Sequence, residues 1–446
     1  MMMDYQSAAQ KLFMSYNRAT PNLSGLDSQT RDLTAIRQLF ELAAIPLNLA
    51  PTVTITGSKG KGSTAIMTAA LLQGMGHRVG LLTSPSFLSL RERVRLNLHA
   101  IPEADFVRIV GDLAPLIDQI DSTLAPDKYL SPTGLFLAVG LRYFHENAVS
   151  AMVLEVGRGG RFDDVRLVEN QVSCLTPIMD EHRDKFGAKP LDVVWHKAGI
   201  IKPDSQVVSA NQSPEVTDYL VDYCAQVGAE LFVLDQDFSY QSVFDGIDQI
   251  VDVQFPALGQ TDRFTLSTPA RYQAQNLVLA FANASLLTRN TPRLSAPAPL
   301  LSRVRLVGRC DVLRDTAPKV IVDGAINRES AQQFRESVAG LSDGVIALVT
   351  ALPHDKDYRG VLEVLLPAVQ HAIVTHVTAG HLNFSDDVQE FARQYMPDVV
   401  FEKDVFSAFK QAEQNADTVW VVGTQSLVRD ALDYWGASLE SLLLDG

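Results

Sequence analysis

Residues 51–75, PTVTITGSKGKGSTAIMTAALLQGM, decide how this chain folds. The β-branched run at 51–56 reads as a strand and Ser63–Met75 as a helix, and between them glycines at 57, 60 and 62 are interleaved with Lys59 and Lys61. A strand that feeds a helix through glycines makes an anion cradle, because backbone N–H groups approach phosphate oxygens and the helix N-terminus adds positive potential. Lys61 supplies a point charge, and Ser63 a hydroxyl able to reach Mg²⁺. Gly57, Gly60, Lys61, Gly62, Ser63 and Thr64 are therefore candidate nucleotide-binding residues, with Lys61 also a candidate catalytic group. The loop departs from the usual GxxxxGK[ST] spacing, since Gly57 lies three residues before Gly60 and Gly62 separates Lys61 from Ser63. That spacing counts against an ordinary kinase or GTPase; the plain alternative is a lysine-rich turn without a ligand.

Outward from this loop, strand-like runs at Arg78–Thr83, Ala151–Val156, Gln171–Thr176 and Gln206–Ala210 alternate with helical patterns at about 102–118, 133–147, 191–199 and 214–226. The alternation predicts a mostly parallel sheet covered by helices. Residues 230–268 alternate β-branched and aromatic positions, which predicts antiparallel strands at the edge of this domain, and Tyr272–Leu287 reads as one long helix. A proline-rich stretch follows and marks a boundary, giving domains 1–295 and 296–446. In the second, Val320–Val322, Gly344–Thr350, Ala372–Val377, Val399–Phe401 and Thr418–Val422 alternate with helices, as in a smaller doubly wound unit. The fold class is α/β: a P-loop-containing, mostly parallel sheet domain, then a Rossmann-like α/β domain, with a cleft between them.

At 446 residues the chain is long enough for two such cores. A formal charge of −14 with Lys and Arg scattered argues against nucleic acid as a partner. Cys174, Cys224 and Cys310 are widely separated and give neither a disulfide framework nor a zinc site. No run approaches the roughly 20 apolar residues that span a bilayer, and the N-terminus has no signal-peptide pattern, so no membrane partner and a cytoplasmic location are expected.

TGSKGKGST resembles the loop of the Mur ligase superfamily, and most closely that of the folylpolyglutamate and dihydrofolate synthases. Other segments carry the same resemblance in the same order. Ser84-Pro85-Ser86 with Glu92-Arg93-Val94-Arg95 is similar to the family's SPHL…ERIRING, and Leu154-Glu155-Val156-Gly157-Arg158-Gly159-Gly160-Arg161-Phe162-Asp163 to its LEVGLGGRLD. Glu181-His182 stands at its Asp-His and Lys197 at its EKAGI lysine, 15 positions after His182. Arg271–Asn276 resembles HQxxNA, Gly308-Arg309 the PGR arginine, and Val320–Asn327 DGAHN. More loosely, Asp355-Lys356-Asp357 resembles DKD.

The resemblance implies an ATP-dependent ligase that activates a carboxylate as an acyl phosphate and joins it to an amino acid, most closely L-glutamate to a folate or dihydropteroate. It implies Mg²⁺ on Ser63, Ser84 and Glu155, a second metal on His182, and catalytic roles for His182 and Lys197. The lysine is carbamylated in many relatives, and the expected cofactors are ATP and Mg²⁺ with a carbamylated Lys197 and a monovalent cation. Asn276, Arg309 and Asp323 would face the nucleotide, the second domain completing the ATP and amino-acid site. A monomer is expected. Several positions depart from the family: Ser86, Tyr272 and Ile326 stand where it has histidines, Phe136 near the glutamate of PTxFE, and Asp164-Val165-Arg166 in place of ATN. Three other readings follow from these departures and from the loop: a ligase of the same class for a non-folate acid, a small-molecule kinase, and a nucleotide-binding module without turnover.

Overall fold

The computed structural model describes residues 3–289, 298–342, 344–379, 382–385, 387–440 and 442–444, so the boundary expected at 295/296 lies outside the described residues. Strands are numbered in chain order. Thr52–Thr56 is β1, Val79–Leu82 β2, Val94–Leu96 β3, His99–Ala100 β4, Ala151–Glu155 β5, Val172–Leu175 β6, Gln206–Ser209 β7 and Glu230–Val233 β8. They form one sheet of order β4-β3-β2-β5-β1-β6-β7-β8. From β2 to β8 every pairing is parallel, and only β3 and β4 run antiparallel at one edge. Every residue of β1 and β5 is buried, as a strand covered on both faces requires, which accounts for the continuous β-branched and apolar run.

Register sets the site. Ile55 pairs with Glu155 and Thr56 with Leu175, so the loop that leaves β1 emerges between the C-terminal ends of β5 and β6. In an open parallel sheet this edge is where ligands bind. Two large apolar clusters cover the sheet, beside a smaller one against β6 and β7. One holds the helix Lys61–Gly74 and the helix Gln273–Leu287, whose sides are buried all round. The other packs Tyr5–Ala19, Thr34–Leu42, Glu103–Asp121 and Pro132–Glu146 together.

Residues 230–268 differ from expectation. β8 continues the main sheet in parallel, whereas β9 (Ser239–Asp245), β10 (Asp248–Phe255) and β11 (Gln260–Ser267) form a separate antiparallel sheet. Its apolar face, through Val251, Val253, Phe255 and Phe264, covers the far side of the helix Gln273–Leu287. A helix with no polar stripe needs cover on two sides, and this small sheet supplies the second.

The second sheet comprises β12 (Asp311–Arg314), β13 (Lys319–Asp323), β14 (Ile346–Ala351), β15 (His371–Thr375), β16 (Val400–Glu402) and β17 (Thr418–Gly423), in the order β12-β13-β17-β14-β15-β16. Only the edge strand β12 is antiparallel. No helix among the described residues is long and apolar enough to cross a membrane.

Candidate active site

Two glycines give the phosphate loop its shape. Gly57 has φ +147°, and a Cβ there would lie 1.9 Å from Thr176 Oγ1; Gly60 has φ +84°, and a Cβ there would lie 2.3 Å from Asn276 Oδ1. Both the left-handed backbone and the close approach require glycine. Gly60 is the N-cap of the helix Lys61–Gly74, so the helix begins inside the loop.

Two ammonium groups converge on one carbonyl. Lys61 Nζ donates to Gly57 O at 3.0 Å, and Lys197 Nζ, from the helix Pro190–Ala198, donates to the same oxygen at 2.7 Å. Lys197 also donates to Glu181 Oε1 at 2.9 Å. Burial depresses the Lys197 ammonium, Glu181 partly restores it, and the balance leaves it at about 8. Burial works to raise the Glu181 carboxyl, yet Lys197 overrides it and holds the group below its ordinary value. Sequence reading treated Glu181 only as a departure from aspartate. The structure makes it the counter-ion of Lys197, and its adjacency to His182 was the available signal.

Glu155, at the end of β5, is 5% exposed. Its Oε2 accepts the Ser84 N–H at 2.8 Å and lies 3.5 Å from where a Gly62 Cβ would be. Burial pushes this carboxyl up to about 7, against the pull of Lys61, Arg309 and Arg93. The loop, Ser84 and Glu155 are therefore gathered together. His182 is not in that group: half-exposed and left-handed at φ +51°, it lies 4.0 Å from Glu181 and edge-on to Phe186.

Asn276 and Gln273, from the first turn of the buried helix, face the loop. Asn276 Nδ2 donates to Gln273 Oε1 at 2.8 Å, Thr64 Oγ1 to Asn276 Oδ1 at 3.4 Å, and Gln273 Nε2 to Ser63 Oγ at 3.5 Å. From the second domain, Arg309 Nη1 donates to Gly308 O at 2.6 Å, and the Cys310 N–H to Asp323 Oδ2 at 2.7 Å. Burial raises the Asp323 carboxyl, with Arg309 opposing it. Burial and then the Arg309 charge both depress Lys59, which places Arg309 within electrostatic range of the phosphate loop. Lys356 pairs with its neighbour Asp355 at 2.8 Å, while Asp357 caps the helix Tyr358–Leu365; both fit an ordinary loop.

No cluster of three or more His, Cys, Asp or Glu side chains suited to a metal is present among the described residues. The donor set still fits Mg²⁺, which binds through one or two carboxylates, retains waters and takes its other oxygens from phosphates. One buried carboxylate against Gly62 of a phosphate loop that carries a serine hydroxyl at the next position is such a set.

Compared with curated proteins, the chain is 27% identical over 369 residues to folylpolyglutamate synthase of Lacticaseibacillus casei, covering 80% of this chain and 82% of that one. It is 29% identical over 363 residues to dihydrofolate synthase/folylpolyglutamate synthase of Mycobacterium tuberculosis, covering 77% and 74%. A solved structure of Mycobacterium tuberculosis folylpolyglutamate synthase complexed with ADP superposes with a TM-score of 0.85 at 26% identity, over 97% of this chain and 99% of that one. These likenesses, in sequence and in fold, support the folylpolyglutamate synthase family of the Mur ligase superfamily. No protein-family profile matches it.

Set against the pattern of that family, the departures of this chain are structured. Tyr272 and Ile326, standing for two histidines, pack against the same apolar cluster of the second domain, so contact across the domain junction replaces two polar rings. Asp164 enters a buried ionic group whose members lie far apart in the chain. Arg31 Nη2 lies 3.4 Å from Asp163 Oδ2 and 3.7 Å from Asp164 Oδ2, and Arg158 pairs with Asp27 through two hydrogen bonds of 2.6 and 3.0 Å. Ser131 also donates to Asp164. These bonds tie the segment around the short helix Asp27–Thr30 to the loop after β5.

Proposed function

We propose that the protein is an ATP-dependent carboxylate–amine ligase that forms an acyl phosphate and transfers the acyl group to L-glutamate, the acid being a folate or dihydropteroate. The observation that supports this best is the convergence of Lys61, Lys197, Glu155 and Arg309 on one phosphate loop at the C-terminal edge of the sheet. A nucleotide held there would lie with its phosphates over the glycines, between Lys61 and Arg309, with Asn276 and Asp323 toward its nucleoside side. Ser63, Ser84 and Glu155 would hold Mg²⁺, which when bound neutralises charge developing on the transferred phosphoryl group. Arg309 comes from the second domain, so seating it against the loop also excludes water that would hydrolyse an acyl phosphate. Lys197 donates to two acceptors as an ammonium, and this reading keeps it in that form, without a carbamate or a monovalent cation. His182, beside Glu181, would approach the acyl phosphate from the other side of Lys197.

Purified protein given Mg·ATP, L-glutamate and either dihydropteroate or tetrahydrofolate should release phosphate and yield a product heavier by one glutamyl residue. ADP formation only with other acids would keep the ligase and discard folate; ATP binding without turnover would discard both. Asp164, buried beside Arg31, favours testing non-folate acids in the same assay, because Asp164-Val165-Arg166 stands where the family has ATN.

Lys197 also sets a pH dependence. Its ammonium is the active form here and is lost as pH rises through about 8, so kcat should fall on the alkaline side with a midpoint near that value. A profile flat to pH 10, or activity that rises with added bicarbonate, would count against the ammonium.

A further inference from the structure

Among the described residues, the Arg93 side chain, at the end of the short helix Leu90–Arg93, makes no hydrogen bond or ion pair. Its guanidinium carbon lies 4.6 Å from the centroid of Phe136 and 5.9 Å from that of Phe13. Its Nε is fully buried and makes no hydrogen bond. Arg91 and Arg95 share the buried, unpaired Nε, but each has an Nη bond that Arg93 lacks: Arg91 Nη1 donates to Ile101 O at 3.2 Å, and Arg95 Nη1 to Leu98 O at 3.2 Å, with Glu92 3.7 Å from Arg95.

The nearby carboxylates are committed elsewhere. Glu92 accepts the N–H groups of Phe87, Leu88 and Ser89 at 3.0, 2.6 and 2.7 Å, and Glu155 accepts that of Ser84. Arg93 is nonetheless close enough to Glu155 for their charges to act on each other. On its other side Phe13 lines an open groove of about 500 Å³, together with Gln10, Met14, Asn17 and Leu90. A guanidinium whose Nε is buried without a partner beside two aromatic rings leaves its remaining donors for an anion, and carboxylate is the anion that matches its planar geometry.

We propose that Arg93 binds the carboxylate of the acid substrate, holding it on the Glu155 side of the site while the apolar body of that acid lies along Phe13 and the groove. The assignment rests on the ligase reading above and narrows the substrate to a carboxylic acid with a flat or apolar body. The loop Ser84–Ser89, braced by Glu92, keeps the Arg93 turn in place.

The test compares wild-type, Arg93→Met and Arg93→Lys proteins by steady-state ADP formation with dihydropteroate or tetrahydrofolate, ATP and L-glutamate, together with thermal unfolding. Loss of a bidentate charge-assisted contact should raise KM for the acid about 10- to 100-fold in Arg93→Met, with a smaller rise in Arg93→Lys, which keeps the charge but not the fork. KM for ATP and for glutamate should stay put, and the unfolding midpoint of Arg93→Met should fall only slightly, because the contact with the Phe136 and Phe13 rings is lost but no hydrogen bond is. An unchanged KM for the acid, or a joint loss in all three constants and in stability, would overturn the assignment while leaving the ligase standing. Absence of product from wild-type protein with both acids would instead sink the folate reading, and this assignment with it.

Discussion

Replacing Lys61 by methionine is expected to lower kcat/KM for amide formation by about 10²–10³-fold while leaving the thermal midpoint unchanged, as removal of a preorganised charge from a phosphoryl-transfer site does. In the folded chain the ammonium makes one hydrogen bond, to Gly57 O at 3.0 Å. Methionine keeps most of the stem, so the structural loss is small and the electrostatic loss nearly complete. Lys197 cannot take over, because its Nζ is held between Gly57 O and Glu181 from a different helix. A second effect separates this account from simple misfolding. Lys61 is one of the charges that depress the Lys197 ammonium, so its removal should move the alkaline limb of the residual activity to higher pH. Steady-state ADP formation across pH 6–10 would measure both, and turnover near the wild-type level would remove Lys61 from the phosphate site.

How far the sequence reveals such a site depends on the range of the forces that build it. The loop is local: strand, glycines and helix follow one another, and the two left-handed glycines mark the places where a side chain would strike Thr176 or Asn276. Strand–helix alternation was legible for the same reason, since periods of two and 3.6 are written in neighbouring residues. Register is not local. That Glu155 lies beside Ile55 follows from parallel pairing across a hundred residues, and reached the sequence reading only through resemblance to the family. The small antiparallel sheet shows a different limit. Alternation in 239–267 announced strands, but nothing in it said that they would leave the main sheet to cover a helix lacking any polar face. Glu181 and Arg93 were in plain view as letters. Their roles arise from what they touch or fail to touch, Lys197 in one case and no polar group in the other.

The buried ionic group at Arg31 lies furthest from sequence logic, and it carries the largest expected effect on stability. Arg31→Met should destabilise the protein by about 3–5 kcal/mol, the usual cost of leaving buried charge uncompensated, and lower the thermal midpoint by roughly 5 °C. Asp163 is fully buried and Asp164 3% exposed, and Arg31, whose side chain is 10% exposed, is the cation next to both. Arg31 also donates to Arg158 O at 3.1 Å, so its loss frees the segment around Asp27 as well. The pH dependence has a definite sign. Burial raises the Asp164 carboxyl to about 6 against the pull of Arg31, above the value near 4 of an unfolded chain. Between those values the folded state binds more protons than the unfolded one, so this group costs stability as pH rises through the window and costs its full amount above it. Without Arg31 the folded value climbs further and the window extends upward, so the deficit of the variant should be larger at pH 8 than at pH 5.5. Paired melting curves of wild type and variant at those two pH values measure it. A deficit below about 1 kcal/mol, or one that does not change with pH, would mean that Asp163 and Asp164 are compensated by something other than Arg31.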